Sequence, residues 1–140
     1  MNLLISVFVF FISQFNVVQK DSKEKFVDEL LRLTKTRESA EVVINSIIRK
    51  QVQNKPKAPS NIEFEIKKSI NYETYLNQVK RIYYSNYSEL ELKELIKIYR
   101  EGDFELFKSK TQKIEKPIYD VGLAFGKDCA KIINDKLKNY

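Results

Sequence analysis

Apolar residues recur every three or four positions along most of this 140-residue chain. In the stretch "YLNQVKRIY", for example, Leu76, Val79 and Tyr83 fall on one helical face and polar residues lie opposite. This spacing is typical of amphipathic α-helices, whereas a half-buried strand alternates every second residue. Only three glycines and three prolines interrupt the pattern, too few for a loop-rich β protein. The sequence therefore predicts an all-α fold.

Helix start and stop signals divide residues 20–140 into five or six helices with short connections, which favours a single antiparallel bundle. Thr36 is predicted to cap a second helix that continues to about Gln53. Four apolar side chains of that helix are expected in the core: Val43, Ile44, Ile47 and Ile48. The two prolines of "NKPKAPS" mark the clearest linker.

Two later segments break the simple pattern. The run "IEFEI" alternates like a strand, but no strand partner is evident, so residues 62–70 are predicted as a short helix with Phe64 or Ile66 inward. Pro117 lacks a backbone N–H and is expected to kink or restart the last helix.

The stretch "YSELELKELIKIYREGDFELF" is predicted to be an elbow between two helices. Ser88 with Glu91 three residues later fits a capping box, in which each side chain accepts the other residue's backbone N–H. Gly102 suits the left-handed conformation that ends a helix, and Asp103 suits the cap of the next helix. Helix punctuation therefore accounts for this junction without a binding function.

The first nineteen residues differ from the rest because they carry no charged side chain. Their apolar run "LLISVFVFFI" is too short to span a bilayer but suits a secretory signal. We predict a signal peptide at residues 1–19, cleaved after Gln19, and a helical domain at residues 20–140. A buried first helix and an uncleaved anchor are the alternatives.

Absent residue types exclude several classes of site. The chain has no histidine, which rules out Ser-His-Asp and Cys-His catalysis and histidine-ligated metals. Its one cysteine, Cys129, cannot form an internal disulfide or a thiolate zinc cluster and is expected to be a buried apolar residue rather than a reactive thiol. No glycine-rich phosphate loop is present. We expect no cofactor and no catalytic residues.

Two sets of residues are candidates for an interaction surface. Lys110, Lys113 and Lys116 fall on nearly one helical face, and the net charge of +6 would suit an anionic lipid or polysaccharide. A solvated helix face explains them equally simply, and the 19 interspersed acids argue against nucleic acid. Tyr84 and Tyr87 lie at a helix junction, where they could be exposed and recognise a partner.

Gly122, Gly126 and Ala130 recur every four residues in the last helix and form a smooth stripe. Glycine inside a helix costs up to about 1 kcal/mol relative to alanine, so something should offset two of them. We predict a notch where another helix backbone packs closely, either the "ELKELIKIY" helix or the first helix. The alternative is a ligand lying against exposed backbone.

Four elements of this chain resemble a bacterial family of exported helical domains, domain of unknown function family 2059. They are the "LL-x-L" of Leu30, Leu31 and Leu33, the aromatic and cap at Tyr87 and Ser88, the "ELK-x-LI-x-x-Y" helix at residues 91–99, and the glycine-bearing terminal helix at residues 122–126. The chain departs from the family's Ser-Pro and Gly-Lys after that helix, where it has Gly102 and Asp103. The resemblance implies an exported, all-helical domain and brings no activity or site residues.

These features together favour a non-enzymatic, exported interaction or scaffold domain of the cell envelope, in the periplasm or outside the cell. A basic module for anionic lipid or polysaccharide surfaces is the second hypothesis, and a small-ligand or enzymatic domain the third. Membrane contact is expected only through an uncleaved signal or the basic face. The sequence leaves the partner and the oligomeric state open.

Overall fold

The computed structural model of this protein describes residues 21–140, which form six α-helices and, over that range, no β-strand. The helices are α1 Ser22–Leu33, α2 Thr36–Gln53, α3 Ile62–Ser69, α4 Tyr72–Asn86, α5 Glu89–Glu101 and α6 Phe104–Leu137. The all-α prediction is confirmed, including the helix drawn from "IEFEI". The predicted signal peptide at residues 1–19 lies outside the described residues.

Side-chain caps begin most of these helices where the sequence places them. Asp21 accepts the Lys23 backbone N–H at the start of α1, and Asn71 accepts the N–H of Thr74 at the start of α4. The prediction that Thr36 caps α2 is wrong. Lys35 occupies that position with a φ of 50°. The α1–α2 corner therefore turns at the left-handed Lys35. The Thr36 hydroxyl lies 2.8 Å from the Thr34 hydroxyl.

The helices bury two separate apolar clusters, which define two regions of the molecule. Region one consists of α1, α4, α5 and the first half of α6, with residues such as Leu30, Val79, Leu92 and Ile114 at its centre. Region two consists of α2, α3 and the second half of α6, centred on Ile48, Ile66, Cys129 and Ile133.

Helix α6 is 34 residues long and joins the two regions. It continues without interruption through Pro117, so the predicted restart at that residue is wrong. Pro117 lies on the exposed side of the helix, where water can serve the carbonyl that loses its partner. Within residues 21–140, no helix combines the length and apolar character needed to cross a membrane.

The apolar faces of α2 and α3 are only partly buried. Ile44 and Ile48 are inside region two, but Val43 and Ile47 remain 58% and 42% exposed, so their predicted core positions are wrong. On α3, Ile66 faces inward and Phe64 outward. The apolar arc of α2 is wider than the neighbouring helices cover, and its uncovered edge defines the site described next.

Candidate interaction groove

A groove of about 460 Å³ lies between α2 and α6, where region one meets region two. Residues from both helices line its walls and floor, among them Ala40, Val43, Ile47, Gly122, Phe125 and Gly126. Most of these are apolar or lack a side chain. The α1–α2 corner closes one end with the hydroxyls of Thr34 and Thr36.

The two glycines form an open part of this groove. A Cβ atom placed at Gly122 or Gly126 would meet no atom of another element within 4 Å. The prediction that a neighbouring helix backbone packs against this stripe is therefore wrong. Neither α5 nor α1 packs against it, and α2 lies across the groove from the glycines. The stability lost through two glycines inside a helix is not recovered by packing within residues 21–140.

Large apolar side chains are also exposed on the two helices that line the groove. Val42 and Val43 of α2 are 70% and 58% exposed, and Tyr119 and Leu123 of α6 are 66% and 46% exposed. Tyr119 lies one turn before Gly122 on α6, and Leu123 directly follows it. Large exposed apolar patches mark protein or ligand contact sites in soluble proteins.

An aromatic stack fixes the inner wall of the groove. The Phe125 ring lies 4.9 Å from the Tyr75 ring in a nearly parallel arrangement and 5.5 Å from the Tyr72 ring at a tilt. Both tyrosines belong to α4, so the stack ties α6 to α4 directly behind the glycines. Such aromatic pairs add about 0.5–1.5 kcal/mol beyond their burial. One wall of the groove, formed by α6, is therefore packed against α4. The other wall, formed by α2, is exposed.

The hydroxyls at the end of the groove are already paired. The Thr34 hydroxyl donates to the carbonyl of Leu30 at 3.0 Å while it lies against the Thr36 hydroxyl. These hydroxyls therefore stabilise the corner between α1 and α2. The apolar side chains and the bare backbone of α6 are what the groove offers to a partner.

Tyr87 does not lie on an exposed recognition surface. It is 4% exposed, and its hydroxyl donates to the carbonyl of Lys110 at 2.9 Å. Burial raises the pKa of Tyr87 to about 12. The expectation of exposure is wrong because α6 returns across the α4–α5 junction and covers the ring, a contact between residues distant in sequence.

Tyr84 is 39% exposed and points to the other side, toward the start of α1. Its hydroxyl donates to Asp21 Oδ2 at 2.5 Å, and the Lys23 ammonium lies 4.3 Å from its ring centre. This hydrogen bond raises the pKa of Tyr84 and lowers the pKa of Asp21. The two tyrosines of the predicted surface therefore face different parts of the molecule.

The three lysines of the predicted basic face all have acidic partners. Lys110 pairs with Glu94 at 2.9 Å and Lys113 with Glu91 at 3.7 Å, so both join α6 to α5. Lys116 pairs with Asp120 at 2.7 Å within α6. Lys113 also lies 4.0 Å from the centre of the Tyr87 ring. These lysines belong to a mixed network of charges rather than to a free basic patch.

The elbow contains the hydrogen bonds that its sequence predicts. Ser88 Oγ accepts the N–H of Glu91, and Glu91 accepts the N–H of Ser88. Gly102 ends α5 with a φ of 78°, and the Asp103 side chain accepts the N–H of Leu106 at 3.0 Å. The residues of the elbow therefore end one helix and begin the next, and they do not line the groove.

Cys129 is buried at the centre of region two. Burial, with a smaller effect of Asp128, raises the pKa of its thiol to about 11. At neutral pH the thiolate, which is the reactive form, is therefore very scarce. Among residues 21–140, no group of three or more cysteine or acidic side chains is placed to hold a metal ion.

The glycine stripe is evident in the sequence, but the groove around it is not. The missing information was the exposure of Val43 and Ile47, which depends on how far α2 stands from α6. The breadth of the apolar arc on α2, from Val42 to Ile48, could have indicated that part of this face stays exposed. No protein-family model, curated protein or solved structure matches this chain.

Proposed function

We propose that this protein is a non-enzymatic, exported helical interaction domain of the cell envelope, built as an antiparallel bundle, and that the groove between α2 and α6 is its contact site for a protein partner. The observation that carries the proposal is the open space beside Gly122 and Gly126. The resemblance to domain of unknown function family 2059 supports the export and the helical bundle.

The groove suits a partner because it combines backbone access with apolar area. Glycines without a packing role leave the α6 backbone reachable, and a partner's backbone or side chains could approach it closely. Val43 and Ile47 supply exposed apolar walls beside them. Burying such side chains yields about 1.5–3 kcal/mol each when the burial is complete, and correspondingly less from a half-exposed start.

The basic-surface hypothesis has weaker support. It requires lysines that are free to bind anions, but Lys110, Lys113 and Lys116 each have a carboxylate partner within 4.0 Å. An anion would have to displace those carboxylates. The exposed groove needs no such exchange, so the interaction-domain hypothesis is the better one.

Export is tested at the N-terminus. The charge boundary at Lys20 predicts that the mature protein begins near that residue. N-terminal sequencing of the protein recovered from its native host checks this directly. An intact N-terminus on protein from the soluble cytoplasm would contradict export but would leave the groove unaffected.

The partner site is tested by site-specific crosslinking. A photo-crosslinking residue at Val43 should capture a partner in the native envelope, whereas one at Lys97 on region one should not. Gly126→Leu should abolish the capture by filling the groove. Ala124→Leu is the matched control, because Ala124 is exposed on the opposite side of the same helix.

Thermal unfolding of both variants completes that test. Gly126→Leu should melt at or above the temperature of the parent, since nothing lies within 4 Å of the added Cβ. A folded Gly126→Leu protein that still captures the partner would rule out the groove as the contact site.

A further inference from the structure

Of the protein's net charge of +6, region two carries +5, region one carries none, and Lys20 lies in neither region. Residues 36–70 and 122–140, which form region two, carry 11 basic and 6 acidic side chains and so a charge of +5. Residues 21–35 and 71–121, which form region one with the link to α4, carry 13 of each and are neutral. The groove lies along the edge of the positive region.

Two lysines without acidic partners flank residues that line the groove, and we call them the rim lysines. Lys50 lies one turn beyond Ile47 on α2, and Lys127 directly follows Gly126 on α6. Among residues 21–140, no carboxylate forms an ion pair with either of them. The rim lysines therefore differ from the paired lysines of region one.

The shape of the groove fits a helix. Its α2 wall runs from Thr36 to Ile47, a rise of about 17 Å at 1.5 Å per residue, which matches about three turns of a partner helix. The bare backbone at Gly122 and Gly126 gives room for close approach of a partner helix.

We propose that the groove binds an acidic amphipathic helix of about three turns, with its apolar face against Val43, Ile47 and Gly126 and its carboxylates beside the rim lysines. This inference rests on the proposed function and specifies the chemistry of the partner. Apolar area holds the helix in the groove, and the charge of region two selects acidic over basic sequences.

Designed peptides test the proposal on the purified protein. The probe is a fluorescent 14-residue helix with leucine at positions spaced i, i+3, i+4 and i+7 and with glutamate and alanine elsewhere. Its counterpart has lysine in place of every glutamate. By fluorescence anisotropy at low salt, the glutamate peptide should bind at least about tenfold more tightly, and the preference should shrink as salt rises.

Charge reversal at the rim provides the matched variants. Lys50→Glu combined with Lys127→Glu should weaken binding of the glutamate peptide by about tenfold, and Gly126→Leu should abolish it. Lys97→Glu, on the exposed face of α5, is the control and should leave binding within about twofold. Circular dichroism melts establish that all three proteins are folded.

Three results would overturn the proposal. One is equal or tighter binding of the lysine peptide. The second is no binding of either peptide while phosphatidylglycerol vesicles bind the protein in a Lys127-dependent way, which would assign the rim to a lipid surface. The third is no binding at all. If the Val43 crosslinker still captures a partner in any of these cases, the groove remains an interaction site and only the acidic-helix assignment fails.

Discussion

Region one and region two are built from similar helices but are held together differently. In region one, ion pairs cross between helices in addition to the apolar core: Lys80–Asp28, Arg100–Glu29, Lys110–Glu94 and Lys113–Glu91. Among the described residues of region two, no ion pair joins α2, α3 and the second half of α6 to one another. Region two is held by its apolar cluster and carries a net charge of +5.

Under the proposed function, this difference separates stability, in region one, from recognition, in region two. The ion pairs of region one are individually weak, since exposed pairs contribute about 0–1 kcal/mol. Region one as a whole carries 13 basic and 13 acidic side chains and is neutral. Region two leaves its positive charge, part of the α2 apolar face and two glycines unmatched within residues 21–140. The uncovered α2 face and the two glycines meet at the groove.

The largest effects on stability are expected from truncating one buried side chain in the core of each region. Leu92 is fully buried in region one and Ile133 nearly so in region two, and truncation of either to alanine should cost about 2–5 kcal/mol through lost burial and a cavity. Hydrogen exchange should separate the two variants. Leu92→Ala should lower amide protection everywhere, whereas Ile133→Ala should lower it in α2 and α3 and leave α5 protected. Uniform loss of protection in both variants would mean that the regions unfold as one unit.

The same substitution at two glycines should have opposite effects. Gly102→Ala should destabilise the protein by about 1–2 kcal/mol, because alanine resists the φ of 78° that ends α5. Gly126→Ala should stabilise it by up to about 1 kcal/mol, because α6 gains a better helix former and the new methyl meets no neighbour. Chemical denaturation of both variants measures the two signs. A destabilised Gly126→Ala protein would show that α2 packs on the stripe after all.

The smallest effect concerns the pH dependence of the elbow in region one. The N–H of Ser88 lowers the pKa of Glu91 below its ordinary value of 4.5. The carboxylate therefore contributes stability above that value, and the contribution is lost as pH falls through the lowered pKa. Glu91→Gln should accordingly lose less stability than the parent between about pH 5 and pH 3. Glu105→Gln is the control, and urea unfolding at several pH values is the measurement. An unchanged pH dependence would show that the capping box is not populated in solution.

Much of the local structure was predictable because it depends on residues three or four positions apart. The recurrence of apolar residues gave the all-α class, and the caps at Asn71, Ser88 and Asp103 form hydrogen bonds within a single turn. The left-handed Gly102 is equally local, since only its own Cβ would be strained. Thr36 is the exception, because the left-handed Lys35 occupies the N-cap position and the Thr36 hydroxyl contacts the Thr34 hydroxyl instead.

What the sequence by itself determined, then, is the helices, their ends and a smooth stripe on α6. Only the tertiary structure decided which apolar faces are covered. Tyr87 is buried because α6 crosses over it, and Val43 is exposed because α2 stands away from Gly122 and Gly126. Such outcomes depend on distances between helices far apart in sequence, and helical periodicity records the direction of a side chain but not the distance to its neighbour.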